Sequence, residues 1–190
     1  MTQSVPNIRM RLANRILVVD GAMGTSIQAR DLTSEDFGGA EYEGCNEYLN
    51  VTRPELIKSI HRAFLNAGAD IIETNTFGST PLVLEEYGLG SQSEEISRLG
   101  AVLAKEAAIE ASTPDKPRFV AGSIGPTTKA ISVTGGVEWD DLKDNYRSQA
   151  RGLISGGSDL ILVETSQDTL NVKAALSGVT EAQTELLTEI

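Results

Sequence analysis

The sequence contains one cysteine, one histidine and no long apolar run among its 190 residues. Cys45 alone cannot form an internal disulfide or supply a multi-thiolate metal site, which excludes the zinc-ribbon class and favours a reducing compartment. No apolar stretch approaches the roughly 20 residues that cross a bilayer, and the N-terminal segment lacks a hydrophobic stretch of signal-peptide length. We therefore expect a soluble, cytoplasmic protein with no membrane role.

Positive charge is also scarce. Lys and Arg number 16 against 27 Asp and Glu, which gives a net charge of -11. Such a chain repels phosphate backbones and anionic lipids, so no nucleic-acid partner is expected. A small neutral or zwitterionic ligand suits it better. With 40% hydrophobic and 23% charged residues, the composition is that of a globular protein, and we expect one domain over residues 1–190 with no second domain.

Apolar runs and helical spacing alternate along the chain. Four short branched runs predict buried strands, and four amphipathic segments between and after them predict helices. Thr52 opens the first helix as part of a capping box, and Gly68 closes it. The resulting order is βαβαβαβα. The strands are expected at 16–19, 71–72, 119–121 and 160–163, and the helices at 52–68, from 91 or 93 to before Pro114, 139–157 and 169–179.

A short internal repeat supports this order. Residues 67–72, AGADII, return as residues 156–161, GGSDLI, each time as a helix end, a glycine turn, an acid and a strand. Alternating strands and helices require right-handed crossovers and a parallel sheet. Two α/β architectures remain open at this point: a doubly wound sheet, or about four βα units of a (β/α)8 TIM-type barrel, whose full length is about 250 residues. The glycine-rich phosphate loops of nucleotide-binding sheets are absent from the sequence.

In both architectures, ligands bind at the C-terminal ends of the strands, so the polar residues at those ends are the candidates for ligand binding. Asp20, Glu73 and Glu164 each follow or end an apolar run. Asp20 could instead be a turn acid, and Glu73 could face the helices. The loops 21–25, 122–126 and 134–136 are rich in glycine and other small residues, so their backbone N–H groups can approach a ligand closely and the loops could form a lid.

The remaining candidates are expected to be structural. His61 has no second histidine with which to form a metal pair, and it is predicted to lie on the surface of the first helix. Cys45 has no neighbouring base in sequence and is expected to be neither a nucleophile nor a metal ligand. Trp139, Tyr146 and Phe64 fall on apolar helix faces and are expected in the core.

Five segments in the same order resemble the homocysteine S-methyltransferase family, and within it the N-terminal homocysteine-binding module of cobalamin-dependent methionine synthases. The resemblance runs from about Arg11 to Val179 without large gaps. Each segment is weak by itself, whereas five in register are specific. The segments are ILVVDGAMGTSIQ, YEGCNEYLNVTRPELI, AGADIIETNTFGST, VAGSIGPTTKAISVTGG and GGSDLILVETSQDTLNVKAAL.

The resemblance implies a (β/α)8 barrel in which homocysteine lies at the C-terminal rim and its sulfur binds zinc. Zinc favours the thiolate, which attacks the methyl group of methylcobalamin. The resemblance also implies that Glu164 pairs with the ammonium group and that loop amides take the carboxylate. The positions that match the family's contacts to the amino-acid end are Asp20, Gly21, Asn75, Thr76, Phe77 and Glu164.

The sequence departs from the family pattern in its cysteines. The family holds zinc with three cysteines from later strands, and Cys45 matches none of them. We therefore predict no metal ligand and no catalytic residue in this chain, and interpret residues 1–190 as the N-terminal half of a homocysteine-binding domain. Its expected partners are homocysteine, the remaining barrel half, and cobalamin and folate modules.

Two other functions remain open from sequence. The chain could be a vestigial or interaction module without catalysis. Alternatively, Asp20, Glu73 and Glu164 could hold magnesium in an α/β enzyme, because hard carboxylate oxygens suit that ion.

Overall fold

A computed structural model describes residues 8–188. Three strands alternate with helices, as the repeating pattern predicts. The strands are β1 (Ile71–Glu73), β2 (Phe119–Ile124) and β3 (Leu160–Val163). The α-helices are α1 (Ile8–Leu12), α2 (Met23–Gln28), α3 (Leu49–Thr52), α4 (Pro54–Ala67), α5 (Pro81–Leu84), α6 (Ser93–Ala111), α7 (Trp139–Ser155) and α8 (Thr169–Thr188). Short 3-10 helices span Ala40–Tyr42, Asn46–Tyr48, Glu85–Tyr87 and Gly90–Gln92.

The sheet is parallel, with the strand order β1-β2-β3. Ile71 pairs with Phe119, and Ala121 pairs with Leu160. Each strand connects to the next through a helix, as a parallel sheet requires. All strand ends that precede a helix therefore lie at the same edge of the sheet, which is where the sequence places its polar candidates.

The two faces of the sheet have different neighbours. On one face, Ile72 and Val120 pack among residues of α4 and α6, and Ile124 packs against α7 and α8. Side chains alternate along a strand, so the next residues point to the opposite face. There Ile71, Phe119 and the remaining members form a smaller apolar cluster, to which Ile8 of α1 also belongs. Its other members are Leu17, Ala121, Leu160 and Leu162.

The internal repeat has a structural meaning. The Asp70 carboxylate accepts a hydrogen bond from the backbone N–H of Val18 at 3.0 Å, and the Asp159 carboxylate accepts one from Val120 at 2.8 Å. Arg15 binds Asp70 through both its terminal nitrogens, and Lys105 binds Asp159 at 2.7 Å. Each repeated acid therefore ties the start of its own strand to the preceding segment. Arg15 lowers the pKa of Asp70 through these hydrogen bonds.

The expectation of a buried strand at 16–19 is wrong in part. This segment runs parallel to β1 but forms a single bridge, Val19 to Ile71. Leu17 is buried, whereas Ile16 is 87% exposed and Val18 is 58% exposed. An apolar run predicts an extended segment, but its burial requires neighbours on both faces. β3 forms where it is predicted, but its residues are half-buried, whereas a buried strand is expected there.

The predicted capping box at Thr52 does not form. Thr52 is the last residue of α3, and its hydroxyl donates back to the carbonyl of Tyr48 at 3.4 Å. Arg53 occupies the N-cap position of α4, and Pro54 is the first helical residue. The sequence pattern does not reveal α3, the short helix that precedes α4. Thr52 belongs to α3, so its hydroxyl bonds back to Tyr48 and does not cap α4.

His61 is fully buried, so its predicted surface position is wrong. It lies four residues after Ile57 and four before Leu65, and both of these are also buried. This spacing puts His61 on the apolar stripe of α4. Burial lowers the pKa of its imidazole to about 4, so the ring is neutral at pH 7.

The last helix is longer than predicted. α8 continues to Thr188, whereas the sequence predicts a helix that ends near Val179. Ala182 is fully buried in the same cluster as Ala174, and Arg147 of α7 binds Glu185 at 3.2 Å. These contacts with α7 extend the helix. No helix within residues 8–188 is long and apolar enough to span a membrane.

Candidate functional site

Asp20 follows the segment 16–19, Glu73 ends β1, and the two residues lie next to each other. The backbone N–H of Asp20 donates to the carbonyl of Ile71 at 3.0 Å. In return, the Asp20 carboxylate accepts from the backbone N–H of Glu73 at 2.8 Å. Glu73 lies on the same sheet face as Ile71, because side chains alternate and Ile72 points to the helices. The alternative that Glu73 faces the helices is therefore wrong.

Glu164 follows β3 at the same edge. Its backbone N–H donates to the carbonyl of Ile124 at 3.0 Å, which continues the pairing with β2. The hydroxyl of Ser123 donates to Glu164 Oε1 at 2.7 Å. Glu164 Oε2 has a longer contact, 3.4 Å to the Thr165 hydroxyl. Thr165 has a positive φ of 56°, which is uncommon for a β-branched residue and concentrates at functional turns.

The charges of Glu73 and Glu164 act on Asp20, and the charge of Glu164 acts on Glu73. Burial raises the pKa of Asp20 to about 7, and the charges of Glu73 and Glu164 add to the increase, although the hydrogen bond from the Glu73 N–H opposes it. Burial and the charge of Glu164 also raise the pKa of Glu73. A site with this much partly buried negative charge favours a cationic group such as an ammonium.

Asn75 lies just after β1 and is almost fully buried. Its amide nitrogen donates to the carbonyl of Asn46 at 2.7 Å and to the Asn50 side chain at 3.2 Å. Asn50 in turn donates to the carbonyl of Asn75 at 2.8 Å. Both amide hydrogens of Asn75 therefore hold the turn in place, and its structural contribution is to position the backbone.

Thr76 and Phe77 complete this turn. Thr76 is fully buried, and its hydroxyl donates to the carbonyl of Ser123 at 2.8 Å. Phe77 is 41% exposed, and its carbonyl accepts from Gly125 at 2.9 Å. A Cβ on Gly125 would lie 2.7 Å from the Phe77 ring, so a glycine is needed at this position. Phe77 is thus the exposed side chain of this turn, whereas Asn75 and Thr76 are buried.

Gly21 follows Asp20 and precedes α2. A Cβ on Gly21 or Gly24 would meet no heavy atom within 4 Å, so space remains beside this loop. Ala22 between them has a positive φ of 52°. The loop is therefore open enough for a ligand to approach its backbone closely.

The loop after β2 is held by the start of α8. The backbone N–H of Ser132 donates to Asp168 at 2.7 Å, and that of Ile131 donates to Asn171 at 3.1 Å. A cavity of about 320 Å³ lies between this loop and the turn after β3, lined by Thr127, Thr165, Asp168 and their neighbours. The side-chain anchors Asp168 and Asn171 were missed from the sequence, where the spacing D-x-x-N at a helix start was their only signal.

Residues 8–188 do not fit a metal. Within residues 8–188, no three His, Cys, Asp or Glu side chains lie close enough together to hold an ion. Cys45 is buried among Leu84, Leu89 and Ile96, and burial raises the pKa of its thiol to about 12. The apolar residues around Cys45 offer zinc no second ligand. The magnesium alternative likewise has no ligand group in this part of the chain.

Residues 17–189 match the family model described as homocysteine S-methyltransferase. The chain belongs to the homocysteine S-methyltransferase family. The family predicted from the five segments is therefore confirmed.

Two curated relatives are methionine synthases. The chain is 46% identical to methionine synthase from Mycobacterium leprae (strain TN) over 174 residues, which is 92% of this chain and 14% of that protein. It is also 46% identical over 173 residues to the enzyme from Mycobacterium tuberculosis (strain ATCC 25618 / H37Rv), covering 91% of this chain and 14% of that protein. The chain thus spans about a seventh of the length of these relatives.

Solved structures of the family share the fold. The oxidised form of the homocysteine methyltransferase MmuM from Escherichia coli superposes with a TM-score of 0.74 at 26% identity, covering 92% of this chain and 61% of that one. Its metallated form gives a TM-score of 0.73 at 26% identity, covering 93% and 63%. The chain is therefore an α/β protein whose parallel sheet resembles part of that methyltransferase fold.

Proposed function

We propose that this chain binds homocysteine by its amino-acid end, as the homocysteine-binding part of a methionine synthase. The observation that carries the proposal is the group of carboxylates Asp20, Glu73 and Glu164 at the edge where the parallel strands end, in a chain of this family. The ligand's ammonium group supplies the positive charge that such a site lacks.

Glu164 is the proposed partner of the ammonium group. Ser123 fixes one carboxylate oxygen of Glu164, and the other has only a 3.4 Å contact to Thr165. That oxygen is therefore available for a charge-assisted hydrogen bond. Asp20 lies near enough to Glu164 for their charges to interact, and we propose that it contacts the same end of the ligand.

The ligand carboxylate is proposed to bind the open loop that begins at Gly21. Backbone N–H groups that are not covered by side chains suit a carboxylate. Phe77, which is part-exposed beside Gly125, would cover the apolar carbons of homocysteine. Asn75 and Thr76 would act through the backbone position of their turn.

The chemistry of the proposed parent enzyme moves a methyl group from methylcobalamin to the homocysteine sulfur. Zinc favours the thiolate in that reaction, but the described residues do not fit zinc, so we assign no catalytic step to them. We propose that the segment ending at Asp20 and strands β1 to β3 correspond to the first four units of a (β/α)8 barrel. The remaining barrel half and the cobalamin and folate modules are the proposed partners.

The proposal is tested by calorimetric titration of L-homocysteine into the full chain and into Glu164→Gln. Loss of a charge-assisted hydrogen bond should weaken binding by about 10- to 100-fold. Glu86→Gln, a change of the same kind at an exposed position, should leave binding unchanged. Failure of the wild-type chain to bind, or equal binding by Glu164→Gln, would support the alternative of a non-catalytic interaction module.

A further inference from the structure

Gln149 connects a helix to two parts of the candidate site. It lies on α7 and is fully buried. Its amide nitrogen donates to the carbonyl of Thr76 at 2.6 Å and to the carbonyl of Ser123 at 3.2 Å. One side chain from the helical layer therefore bridges the turn after β1 and the end of β2.

The two carbonyls do not need this bridge to be satisfied. The Thr76 carbonyl also accepts from Ser79, at 3.1 Å from the backbone N–H and at 2.9 Å from the hydroxyl. The Ser123 carbonyl also accepts from the Thr76 hydroxyl at 2.8 Å. Removal of the Gln149 amide would leave neither carbonyl without a partner.

The amide also carries a cost. Gln149 Oε1 is buried and has no hydrogen-bond partner within residues 8–188. A buried polar atom without a partner lowers stability, and an apolar side chain of the same length would avoid this loss. Residues that lower stability without an evident structural gain concentrate at functional sites.

We infer that Gln149 is a positioning residue for ligand binding. Its amide fixes the distance between the Thr76 carbonyl, in the turn that carries Phe77, and the carbonyl of Ser123, whose hydroxyl orients Glu164. Gln149 itself touches no ligand. The inference rests on the proposed function, because the geometry it fixes is that of the homocysteine site.

The test compares Gln149→Met with the wild-type chain by thermal unfolding and by titration with L-homocysteine. Methionine keeps the length of the side chain and removes both the bridge and the unpaired oxygen. We expect the melting temperature to be unchanged or higher. Homocysteine affinity should fall by about 5- to 20-fold, because the groups that bind it move out of position. Gln183→Met, at an exposed position of α8, is the matched control and should change neither.

A double variant separates positioning from packing. If Gln149 acts through Glu164, Gln149→Met should weaken binding much less in the Glu164→Gln background than in the wild-type chain. Equal effects in both backgrounds would overturn the inference. It would also be overturned if Gln149→Met bound homocysteine as well as the wild-type chain does, or if the variant lost stability in the way a packing defect predicts.

A ligand-free measurement distinguishes this inference from the proposed function. Hydrogen exchange at the amides of Thr76, Gly78 and Gly125 should be faster in Gln149→Met than in the wild-type chain, and unchanged in Gln183→Met. If the wild-type chain does not bind homocysteine, the proposed function fails, yet faster exchange still shows that Gln149 holds the turn. Unchanged exchange contradicts the inference whether or not homocysteine binds.

Discussion

Asp20 should make the pH dependence of stability depart from the usual pattern of an acidic protein. Its carboxyl has a pKa of about 7 in the folded chain, against 3.8 in its ordinary state, chiefly because it is buried. The folded state therefore holds the proton more tightly than the unfolded state does. The stabilisation that this provides is complete below pH 4 and is lost as the pH rises towards 7.

The size of this effect follows from the pKa difference. A shift of about three units corresponds to about 4 kcal/mol in full, and solvent screening of a part-exposed carboxyl reduces it to about 1–3 kcal/mol. Asp20→Asn keeps an oxygen that can accept from the Glu73 N–H but cannot ionise. The variant should therefore gain about 1–3 kcal/mol in unfolding free energy, relative to the wild-type chain, between pH 4.5 and pH 8.

Urea unfolding of both proteins at pH 4.5, 6 and 8 measures this difference directly. Groups whose pKa does not depend on the Asp20 charge, His61 among them, cancel in the comparison. Asp115→Asn, at an exposed turn position, is the control and should show no such trend. The reasoning is refuted if the difference between Asp20→Asn and the wild-type chain does not change with pH.

Three further predictions concern other parts of the chain. Asp70→Asn, which breaks the paired hydrogen bonds with Arg15, should lower the unfolding free energy by about 1–3 kcal/mol at pH 7, measured in urea. Gly152→Ala would place a Cβ 2.1 Å from the Glu94 carbonyl oxygen, so it should destabilise the packing of α6 against α7 by about 1–3 kcal/mol. An undiminished melting temperature would contradict this. The Cβ added by Gly21→Ala would meet no heavy atom within 4 Å, so the variant should be as stable as the wild-type chain. If the loop holds the ligand carboxylate, titration of this variant with homocysteine should show weaker binding. Unchanged affinity would exclude that contact.

Local patterns predicted the order of the elements well. Strands β1 to β3 and helices α6 and α7 lie where apolar runs and helical spacing place them. The repeated acid and glycine turns also take the same structure twice, with positive φ at Gly68 and Gly157. These features depend on neighbours in sequence, so the sequence carries them directly.

The errors arose where the outcome depends on distant contacts. The residue type of His61 favours the surface, whereas its spacing from Ile57 and Leu65 places it on the buried stripe of α4. Thr52 has the sequence pattern of an N-cap, but it is the last residue of α3, a helix that the pattern does not indicate. The length of α8 depends on ion pairs with α7, which no local pattern reveals.

The candidate site was predictable in its charges but not in its hydrogen bonds. Asp20 and Glu164 stand out in the sequence because they follow apolar runs. The roles of Ser123, Gln149 and Asn50 could not be read from the sequence, because each acts on a residue more than 20 positions away. Asn75 and Thr76 belong to the segment AGADIIETNTFGST that carries the family resemblance. Only the structure shows that their side chains hold the turn through hydrogen bonds.

The central claim is that this chain recognises the amino-acid end of homocysteine. Calorimetry of the wild-type chain with three compounds tests it: L-homocysteine, 4-mercaptobutanoate, which lacks the amino group, and L-2-aminobutanoate, which lacks the thiol. We predict that the two amino acids bind with similar affinity and that 4-mercaptobutanoate does not bind measurably. Binding of 4-mercaptobutanoate as tightly as homocysteine would contradict the account.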